Sequence, residues 1–185
     1  MTFRYTEPYI NGFARTLLIT TYVLNVFGIN SFSYLKSNAV TIIINMANRT
    51  DPRAKQVHGT NPQFLIEKIT RLKIHNDAYT KEHCFALNSE TLVEKAFELK
   101  YIGGTYGGQR RPTKFLCLLL KMLQIQPEME IVLELIKNPD YKYIRILGLL
   151  YFRLVCQDHA QIYKVIEPYY SDYRRIAFRE NSGKF

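Results

Sequence analysis

The chain has 185 residues, of which 47% are apolar and 22% are charged. Enough apolar side chains are present to build a core, so the composition excludes disordered and collagen-like proteins and indicates a globular domain. The 25 Lys and Arg residues against 16 Asp and Glu residues give a net charge of +9, which favours acidic partners. Nucleic acid, acidic protein segments and membrane surfaces all remain open at this point.

The first forty-five residues differ from the rest of the chain. They carry three basic residues and one acidic residue, so they contribute +2 and leave +7 for residues 46–185. Their apolar stretch at 17–29 is shorter than the roughly 20 residues of a membrane-spanning helix, and no small-residue cleavage site follows it. We expect residues 1–45 to be an atypical extension, poorly ordered or the product of a mistaken coding start. A packed extra element and a targeting segment are the alternatives.

The main domain is predicted to begin with an extended arm, because residues 48–60 are polar and contain proline and glycine. Asn61 and Pro62 are typical of a helix start. Asn caps the first turn, and Pro is tolerated at the first position because the N–H group that it lacks would have no partner within the helix. The helix that follows is expected to end near Asn76. Its buried stripe is predicted from apolar residues at helical spacing, Leu65, Ile69 and Leu72, with Phe64 and Ile66 widening it.

Two further helical segments are predicted before a run of glycines. A short helical turn is expected at 79–85. Asn88 or Ser89 can then cap a helix that continues through Tyr101. Gly103 and Gly104 end it in the usual way.

The most apolar helix is predicted at about 113–125, with Thr113 as its cap. Leucine, phenylalanine and methionine surround most of its circumference, which is typical of a helix buried at the centre of a domain. The glycine-rich loop at 103–108 precedes it and favours a structural turn with positive φ angles over a phosphate cradle, because a helix rather than a strand comes before it.

Three more helical segments are predicted after Pro127. The first ends at Asn138 and Pro139, and Asp140 is expected to cap the second. Asp158 is expected to cap a third at 160–167, and Tyr169–Phe178 is predicted to continue as a helix beyond Pro168. The fold class is therefore all-α, a compact multi-helix domain with a buried central helix and at most one small β-hairpin near the glycine-rich loop.

Two basic clusters are candidate partner-binding sites. Arg110, Arg111 and Lys114 lie beside a helix start, where positive charge is unfavourable without a partner. Arg174 and Arg175 alternate with tyrosines near the C-terminus, a pattern that can stack on and neutralise single-stranded RNA. Ordinary solvated charges on a surface loop and on an amphipathic helix explain the same residues.

No pattern of catalytic or metal-binding residues is evident. The three cysteines are widely spaced, the four histidines are scattered, and no metal-ligand pair at the usual spacing occurs. We therefore predict a non-enzymatic protein with no cofactor and no catalytic residue, whose cysteines act as small apolar side chains.

Several strings in the chain match one known family. The most specific are His-Gly-Thr-Asn-Pro at 58–62 and Leu-Gln-Ile-Gln-Pro at 123–127. Others are Tyr-Ile-Gly-Gly-Thr-Tyr-Gly-Gly at 101–108, Pro-Thr-Lys-Phe-Leu at 112–116 and Asp-Tyr-Arg at 172–174. Residues 46–185 closely resemble the amino-terminal domain of the pre-mRNA-splicing factor 38 family, in its tri-snRNP-associated form. The family's domain continues past the position of Phe185, so this chain is expected to lack its last helices and charged tail.

The resemblance implies a nuclear spliceosomal scaffold that acts in the precatalytic B complex and is required for spliceosome activation. The implied partners are the tri-snRNP, a microfibrillar-associated-type splicing protein and a zinc-finger splicing protein. Contact with an snRNA backbone stays open, and no membrane or small-molecule substrate is implied. The alternative is direct RNA binding by a basic and aromatic C-terminal helix.

Overall fold

The structure, a computed structural model, describes residues 48–185, so the expectations for residues 1–45 lie outside the described part. The α-helices are α1 (Lys68–Asn76), α2 (Ala78–His83), α3 (Ser89–Phe97), α4 (Lys114–Ile125), α5 (Met129–Lys137), α6 (Lys142–Val155) and α7 (His159–Ile166). Short 3₁₀ helices span Pro62–Leu65 and Glu167–Ser171, and strands β1 (Thr105–Tyr106) and β2 (Arg111–Pro112) pair antiparallel. The predicted fold class, helical with one small hairpin, is confirmed.

Helix α4 is the centre of the core, as its all-round apolar sequence predicts. Thr113 caps it by accepting a hydrogen bond from the Leu116 N–H at 3.3 Å, and its hydroxyl donates to the Gly103 carbonyl at 2.7 Å. Eight of its side chains are buried: Phe115, Cys117, Leu118, Leu119, Leu120, Met122, Leu123 and Gln124. The same cluster includes residues of α1, α3, α5, α6 and α7, so one core unites the described helices.

Helices α5 and α6 pack closely because a glycine lies at their contact. A Cβ atom placed on Gly148 of α6 would lie 3.0 Å from Cγ1 of Ile136 on α5. The predicted cap of α6 by Asp140 is wrong. Asn138 accepts hydrogen bonds from the N–H groups of Asp140 and Tyr141 in the turn before the helix, and α6 begins at Lys142 after Tyr141, without a side-chain cap.

The buried stripe predicted for the first helix is confirmed only in part. Asn61 does cap the first turn, and α1 does end at Asn76, but the backbone is extended at Ile66 and divides the segment into a 3₁₀ turn and α1. This break changes the helical phase, so Ile69 and Leu72 are 61% and 54% exposed, against the prediction. Ile66 is buried as predicted, and Ile74 joins it in the core.

Helix α3 ends at Phe97 rather than Tyr101, because the chain turns there to bring Leu99 into the core. The predicted cap Asn88 is confirmed. Of the glycines in the following loop, Gly107 has a φ of 73° in the hairpin turn. Gly103 is needed for a different reason, since a Cβ atom there would lie 2.8 Å from the Arg179 carbonyl oxygen.

The helix predicted at Tyr169–Phe178 is wrong. A 3₁₀ turn ends at Ser171, and the chain then runs extended, with Phe178 paired to Ile102 in a parallel β-bridge. The Ile102 N–H donates to the Ala177 carbonyl at 2.9 Å, and the Arg179 N–H donates to the Ile102 carbonyl at 2.8 Å. These tertiary hydrogen bonds replace those that a helix would have made.

Candidate interaction surfaces

The first predicted basic cluster lies on the β-hairpin and the start of α4. Arg110 has a positive φ of 50° in the turn, and both Arg110 and Arg111 are exposed without an ion pair in residues 48–185. The Lys114 ammonium lies 5.1 Å from the centroid of the Tyr79 ring, a cation–π distance. The hairpin therefore presents two free guanidinium groups, which can bind carboxylates or phosphates.

The second predicted cluster is divided by the structure. Arg174 donates to both oxygens of Asp172, at 2.7 and 2.5 Å, and to the Pro139 carbonyl at 2.6 Å. Arg145 donates to the same carboxylate at 2.8 Å, and the two guanidinium groups hold the pKa of Asp172 well below its usual range. Arg174 thus fixes the C-terminal segment, whereas Arg175 is exposed.

Arg179 is also held by other side chains, in this case by aromatic rings. Its guanidinium carbon lies 3.7 Å from the ring centroid of Tyr106, 5.5 Å from that of Tyr101 and 5.1 Å from that of Phe185. This aromatic enclosure holds the C-terminal segment on the hairpin.

Three glutamines hold the arm on the core, and the sequence analysis missed their role. The Gln126 side chain accepts from the Lys55 N–H at 2.5 Å and donates to the Lys55 carbonyl at 3.2 Å. Buried Gln124 donates to Gln63 at 3.2 Å, and Gln63 donates in turn to the Thr50 hydroxyl. The available signal was a pair of glutamines in the string at 123–127, Gln124 in the last turn of the apolar helix and Gln126 directly after it.

The arm and α1 enclose a groove of about 740 Å³, here called the arm–α1 groove. Its lining includes Arg49, Phe64, Lys68, Arg71, Leu72 and His75. No Asp or Glu is among its lining residues, so the groove is positively charged. Phe64 is 60% exposed at its edge, close to exposed Leu72. The arm–α1 groove thus combines apolar surface with positive charge. The sequence did not indicate it, because its apolar pattern predicted Leu72 to be buried in the core.

Arg71 is the central charge of this groove. Its guanidinium carbon lies 4.4 Å from the centroid of the Phe64 ring, and its Nε is buried without a hydrogen-bond partner in the described part of the chain. His75 lies one turn further along α1. Burial, together with the charges of Arg71 and Lys121, lowers the pKa of His75.

A second cleft, of about 860 Å³, lies between the arm and the ends of α4 and α6. Acidic Asp51 and Glu128 line it together with basic Arg53 and Lys55. Because charges of both signs are present, this cleft shows no preference for an acidic or a basic ligand.

The described residues contain no cluster of metal ligands and no membrane-spanning helix. None of their His, Cys, Asp and Glu side chains form a group of three that could bind a metal ion. Burial raises the pKa of the Cys84 thiol to about 11 and that of Cys117 to about 12, so neither is a ready thiolate ligand. Across residues 48–185, each helix is too short or too polar to span a bilayer.

A sequence model described as the PRP38 family matches residues 55–185. Over 140 residues the chain is 60% identical to Pre-mRNA-splicing factor 38 of Arabidopsis thaliana and 56% identical to Pre-mRNA-splicing factor 38A of Xenopus tropicalis. Each alignment covers 76% of this chain but only 39% and 45% of the respective relatives. The chain thus spans roughly two fifths of the length of these curated relatives.

A solved structure has a similar fold. One chain in the crystal structure of the Snu23-Prp38-MFAP1(217-258) complex of Chaetomium thermophilum aligns with a TM-score of 0.66 and 30% identity. The alignment covers 71% of this chain and 70% of that chain.

Proposed function

Because this chain belongs to the PRP38 family, we propose that its domain at 46–185 is a non-catalytic helical scaffold in pre-mRNA splicing. It acts in the nucleus, in the precatalytic B complex, and it is required for spliceosome activation. The observation that carries the proposal is the 60% identity to a pre-mRNA-splicing factor over most of the domain. The fold adds support, because one rigid core leaves basic and apolar surfaces open to partners.

The proposed partners are protein segments. The related solved chain is from the Snu23-Prp38-MFAP1(217-258) complex, which supports binding of a microfibrillar-associated-type splicing protein by this chain. A zinc-finger splicing protein is the second proposed partner. Such segments bind by apolar anchors in grooves, and charge sets their approach and register. Arg110, Arg111, Lys114 and Arg175 supply that charge, and Arg174 holds the backbone that presents Arg175.

Direct RNA binding is the second candidate function. It is favoured by Tyr170 and Tyr173, which are 73% and 91% exposed beside Arg175. The ion pair of Arg174 with Asp172 and the aromatic enclosure of Arg179 weaken it, because these two cations are already used. An snRNA backbone contact through the hairpin arginines is compatible with either function.

Affinity purification of the tagged chain from nuclear extract tests the scaffold function. We expect recovery of tri-snRNP and B-complex proteins that survives nuclease treatment. A variant with Arg110→Ser and Arg111→Ser should recover less of them, whereas Arg153→Ser, which removes an exposed charge on α6, should not. Recovery that disappears with nuclease, or RNA affinity that falls steeply with salt and is lost on Arg175→Ser, would favour RNA binding instead.

A further inference from the structure

The arm–α1 groove has the properties of a binding site for an acidic protein segment. Three permanent cations, Arg49, Lys68 and Arg71, line it, and none forms an ion pair within residues 48–185. Arg71 as a whole is half-buried and lines the groove, so its guanidinium group can form a charge-assisted hydrogen bond with a carboxylate. The local charge therefore selects a negatively charged ligand.

Apolar anchors lie directly beside these charges. Phe64 and Leu72 both line the groove and are each more than half exposed, although large apolar side chains are usually buried. Phe64 belongs to the first 3₁₀ helix and Leu72 to α1. The extended backbone at Ile66 separates these two elements, and both side chains lie outside the core. Apolar surface next to charge is typical of a groove that receives an amphipathic segment.

The walls of the groove are already in place. Asn61 accepts hydrogen bonds from the Thr50 hydroxyl at 2.7 Å and from the Gln63 N–H at 3.1 Å. Gln63 also donates to the Asn48 carbonyl, and Gln124 fixes Gln63 from the central helix. A preformed site lowers the entropy cost of binding a partner.

The observations favour a protein segment over RNA and over the chain's own N-terminus. One face of the Phe64 ring is covered by Arg71, which hinders base stacking, and the other anchor, Leu72, is aliphatic. Residues 1–45 carry a net charge of +2, which does not complement a cationic groove. We propose that the arm–α1 groove binds an acidic amphipathic segment of a partner protein, with the segment's apolar side chains on Phe64 and Leu72; this proposal rests on the proposed scaffold function.

The test uses a fluorescent helical peptide of about 20 residues with leucines at i, i+3 and i+7 and glutamates elsewhere. Its anisotropy is measured with the full chain and with variants. We expect Leu72→Ser and Arg71→Gln to weaken binding about tenfold each, since both remove a contact at the centre of the site. Two matched controls should bind as the parent does: Arg153→Gln, which removes a charge elsewhere, and Tyr173→Ser, which removes an exposed ring elsewhere.

Equal weakening by the controls would overturn the proposal, because it would show attraction by net charge alone. Hydrogen exchange gives a second readout that does not depend on the variants: the peptide should protect residues 62–76 and leave 102–112 unchanged. Tighter binding of a single-stranded RNA probe at 62–76, or protection of the groove by residues 1–45, would also overturn it. If B-complex proteins are recovered but the peptide does not bind, the groove assignment fails while the scaffold function stands.

Discussion

Three basic side chains meet where helix α1 packs on the core: Arg71, His75 and Lys121. The pKa of His75 is lowered first by burial and then by the two neighbouring cations. Burial also lowers the pKa of Lys121, although that of a lysine begins far higher. His75 is therefore the group whose protonation at mildly acidic pH would add a charge to an already positive site.

We expect His75 to make the fold less stable in mild acid. Its ordinary pKa is 6.5, and the folded value is lower, so the unfolded chain binds the proton more readily. The free energy of unfolding should be independent of this residue above pH 6.5 and should fall as the pH drops below it. Urea unfolding at pH 7.5 and 5.5 measures the effect. His75→Gln should reduce the loss of stability between the two pH values, and an unchanged loss would contradict the assignment.

At the scale of elements, the C-terminal segment is held by tertiary contacts rather than by its own helix propensity. Its backbone bonds to Ile102, its Asp172 carboxylate binds Arg145 and Arg174, and Arg179 lies among aromatic rings. The close approach of this segment to the hairpin is possible only because residue 103 has no side chain.

Replacing Gly103 with alanine should displace the C-terminal segment. The new Cβ would lie 2.8 Å from the Arg179 carbonyl oxygen, a clash that we expect to cost about 1–3 kcal/mol of stability. Gly104→Ala is the matched control, since no atom lies within 4 Å of its added Cβ. Thermal unfolding measures stability, and limited trypsin digestion should cut Gly103→Ala faster after Arg174 and Arg179. Equal digestion of the two variants would show that the close approach is not needed.

The sequence correctly predicted those helices whose ends and burial are determined by neighbouring residues. Asn61, Asn88, Thr113 and Asp158 cap helices as expected, and the buried central helix follows from apolar residues around its whole circumference. The wrong predictions concern segments whose conformation depends on contacts with residues far away in the sequence. The break at 66 reverses the exposure of the stripe on α1, and the C-terminal segment pairs with residues about seventy positions earlier.

The candidate interaction surfaces could be predicted from the sequence only in part. Composition and spacing predicted the hairpin arginines as candidate partner-binding residues, and the structure shows them exposed, with no ion pair among residues 48–185. The same reasoning could not detect that Arg174 would bind Asp172, because cations and carboxylates two residues apart are also common on solvated surfaces. The arm–α1 groove depends on a glutamine network that joins positions 63 and 124, so no local pattern indicates it.

At the scale of the whole molecule, the core is one apolar cluster to which α1 and α3 to α7 all contribute. Cys84 and Cys117 belong to it and are 3% and 1% exposed. Because a single small core usually unfolds cooperatively, these two thiols should become accessible together with the rest of the core.

We expect both thiols to be unreactive in the folded chain at pH 8. Their pKa values of about 11 and about 12 leave little thiolate, and burial excludes the reagent. In a Cys156→Ser background, labelling with a maleimide across a urea series should follow the same midpoint as circular dichroism. Rapid labelling of either cysteine without urea would show local opening instead of a single cooperative unit.

The glutamine contact between arm and core has a consequence for synthesis on the ribosome. Lys55 and Gln126, joined by two hydrogen bonds, are 71 positions apart. At 5–20 residues per second, roughly 4–14 seconds pass between the synthesis of Lys55 and the synthesis of Gln126. During that interval Lys55 has no partner for its backbone N–H and carbonyl groups, so the arm can dock only after the central helix has been made.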